Sequence, residues 1–363
     1  MKSSILLDAS HYRAHRPTGV ERYVDHLFPV LDKLLRDEGI EPVYLTQQAF
    51  EAKDPLHFAK QVVIPYRRFW SSWAVKKAVK ELNVSLYFTP SGIPPLKLSV
   101  PTAVTVHDLA VYQVPSAYSF SDRVRLGSIL KVAAKNSRLI FTPSQFVSDS
   151  VRKLWKVAAQ NLVVTPLAPT EQKVGDSTPP NHALPKNYLL YVGRVEAKKN
   201  LETIVRSFAL YRQHGGKLSL VIAGSPGFGA GALYQLVGEL PEELAKAIHL
   251  LGYVSDDERR WLYSHATACI VPSPYEGFGL PVLEAFEAGV AIAASDSGAL
   301  PEVVGDAGIL VPPKSPAAWQ EAFQELEKHT VREALTVKGS ARLKHYSWRK
   351  TAKTTAEAIA RVI

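Results

Sequence analysis

The chain has 363 residues, 46% of them hydrophobic and 21% charged, which fits a soluble globular protein of two domains and excludes a disordered or fibrous chain. Its net charge of +9 lies entirely in residues 1–165, with 22 Lys and Arg against 13 Asp and Glu, so this half is expected to meet an anionic partner. The single cysteine, Cys269, excludes an intrachain disulfide and a cysteine-based zinc site, and points to a reducing, cytoplasmic compartment.

The start, MKSSILLDAS, has too short an apolar run for a signal peptide and reads as a first strand. No apolar stretch is long enough to span a bilayer. PTGVERYV, from Pro17, opens an amphipathic helix that runs through GVERYVDHLFPVLDKLL. There Gly19 would let the backbone approach a ligand, or Thr18 would simply cap the helix. PVYLT, SLYFTP, TAVTVHD and LIFTPS are the next strands. Between the first two of these lies PYRRFWSSWAVKKAVKEL, with Arg67, Arg68, Trp70, Trp73, Lys76, Lys77 and Lys80. Tryptophan beside basic residues suits a helix lying on anionic lipid, and a solvated helix with core aromatics explains the same composition. Ser144 of TPSQFVSDSV is placed as a helix cap.

Residues 169–186, rich in proline and polar residues, read as a linker. Beyond it the strands YLLYVGR, LSLVIAG, AIHLLGY, ACIVPS and VAIAAS alternate with helical patterns such as NLETIVRSFALYRQH. Near-continuous apolar strands alternating with helices predict an α/β chain with two parallel-sheet, Rossmann-like domains facing each other across a cleft. The expected boundaries are 1–168 and 187–345, with a terminal helix in 346–363 that either caps its own domain or crosses to the other.

ACIVPS is followed by YEGFGLPVLEAFEAG. Ligands bind at the carboxyl ends of strands in an open parallel sheet, and Pro281 suits the first helical residue. The amides of Phe278, Gly279 and Leu280 would then form a helix N-terminus suited to phosphate. Glu276 and Glu284 flank that turn, and a carboxylate can accept two hydroxyls of a ribose or sugar ring. The plainer reading of Glu284 is an acid near a helix start, worth about 0.3–1 kcal/mol.

Glu276 to Glu284, EGFGLPVLE, resembles the E-x7-E motif of retaining GT-B glycosyltransferases of family four. YVGRVEAKKN matches the same family at Gly193, Arg194 and Lys199, and one guanidinium with one ammonium can neutralise a diphosphate. Lys198 is placed on the surface. The resemblance implies Gly19 near the cleft, with one glycine where many relatives have two, and His107 near the donor sugar. It implies Tyr253 and Val254 at the nucleotide base, Glu284 on the ribose and Glu276 on the transferred sugar. Asp108, adjacent to His107 on a strand, should point the other way.

The glycines of AGSPGFGAGAL are spaced unlike a dinucleotide fingerprint and read as a flexible loop, and Asp256, Asp257 and Glu258 as acids opening a helix. By resemblance the substrates are a nucleoside diphosphate sugar, with GDP-mannose the expectation, and a glycan or lipid-linked acceptor at the inner face of the membrane. Neither a metal, a cofactor nor nucleic acid is expected. The rival readings are a GT-B sugar phosphorylase or sugar-phosphate transferase, an NAD(P)-binding oxidoreductase, and a catalytically silent lectin-like or membrane-binding protein.

Overall fold

The structure is a computed structural model that describes residues 3–12, 19–65, 73–95, 98–115, 118–169 and 177–363. It divides into two compact units, one of residues 1–112, 119–168 and 347–363, the other of residues 113–118 and 169–346.

The first unit is built on strands β1 (Ser4–Asp8), β2 (Glu41–Thr46), β3 (Lys60–Val63), β4 (Leu86–Thr89), β5 (Thr102–Thr105), β6 (Leu139–Thr142) and β7 (Leu162–Val164). They form one sheet in the order β3-β2-β1-β4-β5-β6-β7, parallel throughout. The second unit has β8 (Tyr188–Val192), β9 (Ser219–Ala223), β10 (Ile248–Gly252), β11 (Ala268–Val271), β12 (Ile292–Ser295) and β13 (Ile309–Val311). Its parallel sheet runs β10-β9-β8-β11-β12-β13. In each sheet the order reverses next to the first strand, between β1 and β4 and between β8 and β11. That reversal opens a crevice outside the carboxyl ends of the two strands.

The central strands β4, β5, β6, β11 and β12 are buried at every position, because helices cover both faces. Three strands have no counterpart in the pattern read from sequence: β3, β7 and β13. All three are sheet edges: β3 opens with the polar Lys60 and Gln61, and the apolar runs of β7 (LVV) and β13 (ILV) are only 3 residues long, too short to mark a strand.

Helix Gly19–Asp37 buries Tyr23, Val24, Leu27, Phe28, Leu31 and Leu35, one apolar stripe at helical spacing. The terminal helix Trp348–Ala360, capped by Ser347, packs on it within the first unit. Trp348 stacks on His26 at 5.3 Å and meets Tyr23 at 6.0 Å, and Thr351 donates to the Pro166 carbonyl. Ser144 caps helix Gln145–Trp155 through the Val147 amide at 3.2 Å. Ser255 and Glu258 form a reciprocal capping box at the start of helix Asp256–His265, where the three acids cluster.

Candidate active site

The crevice between β8 and β11 holds a cavity of about 270 Å³. Tyr191, Arg194, Glu196, Lys198, Lys199, Ser273 and Glu276 line it, with the backbone of Gly193 and with Pro281. The two loops that deliver these side chains are fixed in different ways.

After β8 the chain turns at Gly193 (φ 151°), where a Cβ would lie 2.9 Å from the Tyr191 hydroxyl. Burial, with Glu276 and Glu196 nearby, pushes the Tyr191 pKa well above its ordinary value. The hydroxyl therefore stays protonated and donates to the Arg194 carbonyl at 2.9 Å. Gly224, at the end of β9, lies so close that a Cβ there would be 1.9 Å from the Gly193 carbonyl oxygen. The glycine-rich loop beyond it is held rather than flexible. Val195 donates to Ser225 at 2.9 Å, Gly227 to Val195 at 2.8 Å and Ala197 to Phe228 at 2.9 Å.

A 3-10 turn, Ala197–Lys199, ends at Asn200 in the left-handed region (φ 62°). The Asn200 side chain donates to the carbonyls of Pro272 (3.2 Å) and Pro313 (2.6 Å) and accepts from Thr203 at 2.6 Å. It thereby joins the loop after β8 to those after β11 and β13. Sequence reading missed this residue. Its signal was an asparagine closing a lysine turn, since asparagine tolerates φ > 0.

After β11, the segment leading to Gly279 is held by the loop that follows β12. Ser297 donates to the Pro274 carbonyl at 2.6 Å, and the Ala299 amide to the Glu276 carbonyl at 3.0 Å. Helix Leu280–Glu287 starts one residue before Pro281, because Gly279 (φ 111°) serves as its N-cap. No side chain caps this helix start. Phe278 is buried and meets Tyr346 edge-on at 5.7 Å.

These loops bring Lys199 Nζ to 2.6 Å from Glu276 Oε1, with both side chains about one-fifth exposed. Burial pushes the Glu276 carboxyl up, but Lys199, the Ser273 hydroxyl and Lys198 outweigh it and hold it below the usual glutamate range. Glu196 takes Arg194 Nε on Oε1 at 3.2 Å and Lys198 Nζ on Oε2 at 3.3 Å. The expected surface position of Lys198 is thus corrected: it lines the cavity, turned back by Glu196, with its ammonium 5.7 Å from the Tyr118 ring centroid. Arg194 is the more exposed cation, at 66%.

Glu284 sits differently. It is 7% exposed, and Arg259 Nη1 bonds its Oε1 while Tyr263 donates to its Oε2 at 3.0 Å. Burial opposes the charge on Arg259, but Glu284 and neighbouring acids keep its pKa high. The expectation that placed Glu284 on a ribose did not foresee these partners. Arg259 and Tyr263 stand four residues apart on one helix face, which spacing shows, but their common partner 25 and 21 residues onward is not visible in spacing. Tyr253 is exposed, and Val254 is half-buried, just beyond β10.

In the first unit, His107 is half-buried beyond β5, with Nε2 2.8 Å from the Pro90 carbonyl and its ring edge-on to Tyr23 at 4.9 Å. Burial pushes its pKa down, against the Pro90 carbonyl and the nearby acids Asp108 and Glu21. Asp108 is exposed and accepts from the Ala110 amide at 2.9 Å, so the adjacent pair do separate jobs. Gly19 is exposed at its helix start. Arg67, Arg68 and Trp70 lie outside the described residues. Trp73 is 49% exposed beside helix Val75–Leu82, with Lys77 Nζ 5.3 Å from its ring centroid. Lys76, Lys77 and Lys80 face outward while Val75, Ala78 and Val79 are buried. Among the described residues no helix is long and apolar enough to cross a membrane.

Residues 17–168 match glycosyltransferase family 4, and residues 176–342 match glycosyl transferases group 1. The O-antigen chain mannosyltransferase B of Escherichia coli is 32% identical over 313 residues, covering 83% of this chain and 79% of that protein. The O-antigen chain mannosyltransferase RfbU of Salmonella typhimurium is 28% identical over 71% of this chain and 70% of its own. In fold, the chain is similar to sucrose-phosphate synthase from Thermosynechococcus elongatus, with a TM-score of 0.73 at 21% identity and 99% and 98% of the two chains covered.

Proposed function

Because the chain belongs to the family-four, group 1 glycosyltransferases and has their GT-B fold, we propose that it transfers mannose from GDP-mannose to a glycan or lipid-linked acceptor, with retention of anomeric configuration. One observation carries this reading: the cations and the ion-paired Glu276 gather around one cavity at a strand-order reversal, beside an uncapped helix start. The mannosyl group is inferred from the two O-antigen mannosyltransferases to which the chain is similar.

In the proposed reaction Arg194 and Lys199 take the diphosphate, and the amides of Phe278, Gly279 and Leu280 take phosphate and sugar oxygens. Glu276 accepts hydroxyls of the transferred sugar. Glu284, oriented by Arg259 and Tyr263, accepts those of the ribose, and Tyr253 and Val254 flank the base. Gly19 is proposed to bind the donor through its backbone, and His107 to act on the donor sugar, by supporting leaving-group departure or binding a sugar hydroxyl. The bond from the anomeric carbon to the diphosphate breaks, and the acceptor oxygen bonds that carbon on the same face. The acceptor proton passes to the departing phosphate. Stabilising that leaving group is the main catalytic contribution, and the cations supply it without a metal ion or cofactor.

The exposed face of Trp73, Lys76, Lys77 and Lys80, adjoining Arg67, Arg68 and Trp70 in sequence, is proposed to rest on an anionic inner-membrane surface. Co-sedimentation with anionic but not neutral vesicles checks that part, and equal binding to both overturns it.

A thermal-shift panel of GDP-, UDP- and ADP-sugars tests the sugar donor. A ligand at 100 times its Kd stabilises by about 2.7 kcal/mol, so GDP-mannose should raise Tm most. An unshifted Tm with every nucleotide sugar, or a product of inverted configuration by NMR, would sink the reading.

A further inference from the structure

The cavity between β8 and β11 carries five ionised side chains: Arg194, Lys198 and Lys199 against Glu196 and Glu276. Glu276 is engaged by Lys199 and Glu196 by Arg194, so without Lys198 the charges balance. With its side chains balanced, the cavity would attract an anion only through the uncapped helix start, whereas Lys198 gives it a net positive charge. The ammonium is also positioned, between Glu196 Oε2 at 3.3 Å and the Tyr118 ring at 5.7 Å, with the side chain only 29% exposed. A lysine held in this way has already given up much of the rotamer freedom that binding would otherwise remove.

We propose that Lys198 is a third diphosphate-binding cation of this site, placed beside Arg194 by the carboxylate of Glu196, which holds one cation on each oxygen. This rests on the reading of the cavity as a nucleoside diphosphate site. Glu196 is then a positioning residue: it spaces two cations that would otherwise repel each other, and it aligns them for adjacent phosphoryl groups. The guanidinium offers a planar fork and the ammonium a compact point charge, so the two are complementary on a diphosphate.

Titration calorimetry of the full chain with GDP and with UDP tests this. Lys198→Ala should weaken binding of whichever nucleotide the native chain prefers by about tenfold or more. It should also flatten the salt dependence, while Lys246→Ala, a distant exposed lysine, changes neither. The deciding variant is Lys198→Ala combined with Glu196→Gln, which restores the net charge of the native cavity. If Lys198 touches the diphosphate, the double variant binds more weakly than both the native chain and Glu196→Gln alone, the single variant that carries any effect of releasing Arg194. Recovery of native affinity would show that Lys198 only neutralises Glu196, and it would overturn the proposal, as would unchanged binding by Lys198→Ala. A native chain that binds neither nucleotide instead removes the nucleoside diphosphate reading beneath it.

Discussion

Two carboxylate–cation pairs stand at the two ends of EGFGLPVLE, and their surroundings differ. At the mouth of the second sheet, Glu276 and Lys199 are each about one-fifth exposed and border a cavity. One turn into the helix, Glu284 and Arg259 are about one-tenth exposed, and Tyr263 closes the other carboxylate oxygen. The chemistry of the pairs is the same. The first pair can trade partners with an incoming ligand at modest cost, whereas opening the second would strand a charge in the interior. Access to solvent separates a pair whose cation can be exchanged from one that stays fixed, as the proposed ribose contact of an oriented Glu284 requires.

The comparison breaks most visibly at Lys199. Replacement by Ala should lower kcat/KM by about 10³, which corresponds to about 4 kcal/mol of transition-state stabilisation, and leave Tm within a few degrees of native. Near-native turnover would place the chemistry elsewhere. The reverse pattern is expected behind the cavity. Arg259→Met leaves Glu284 buried without its cation and should destabilise the second unit by about 3 kcal/mol. Tyr263→Phe, which removes one hydrogen bond, should cost about 1 kcal/mol. Urea unfolding of the two variants checks both, and equal losses would mean that the ion pair adds nothing beyond a hydrogen bond.

How far these differences were legible in the sequence depends on what each residue's position rests on. The central strands declared themselves because burial on both faces demands apolar runs such as ACIVPS, and the motifs at their ends followed. The short strands Lys60–Val63, Leu162–Val164 and Ile309–Val311 did not, because the first opens on two polar residues and the other two are apolar for only 3 residues. The family pattern named Arg194, Lys199, Glu276 and Glu284, yet the pairing of Lys199 with Glu276 spans 77 positions and needs the sheet to bring it about. Lys198 reads as a surface residue in the sequence, because a short lysine turn has no periodicity that shows which of its side chains turns inward. The carboxylate of Glu196, two positions earlier, turns it back. Arg259 was hidden by the acids around it, which explain a helix start without it.

The smallest expected effect tests whether Glu276 is held as an ion. Its pKa lies below the ordinary value of 4.5, since Lys199, Ser273 and Lys198 outweigh burial. A carboxyl depressed in the folded state binds fewer protons than in the unfolded chain. Its contribution is therefore complete above pH 4.5 and is lost as pH falls through the folded value. For a part-exposed pair this amounts to about 1 kcal/mol. Unfolding midpoints between pH 7 and pH 3 should thus fall more steeply for the native chain than for Glu276→Gln, with the two curves converging only below pH 4.5. Above that pH the variant should sit lower by a constant amount, because Lys199 then faces a neutral amide. Parallel curves down to pH 3 would mean that Lys199 does not hold Glu276 in solution, and the distinction between an exchangeable and a fixed pair would lose its first member.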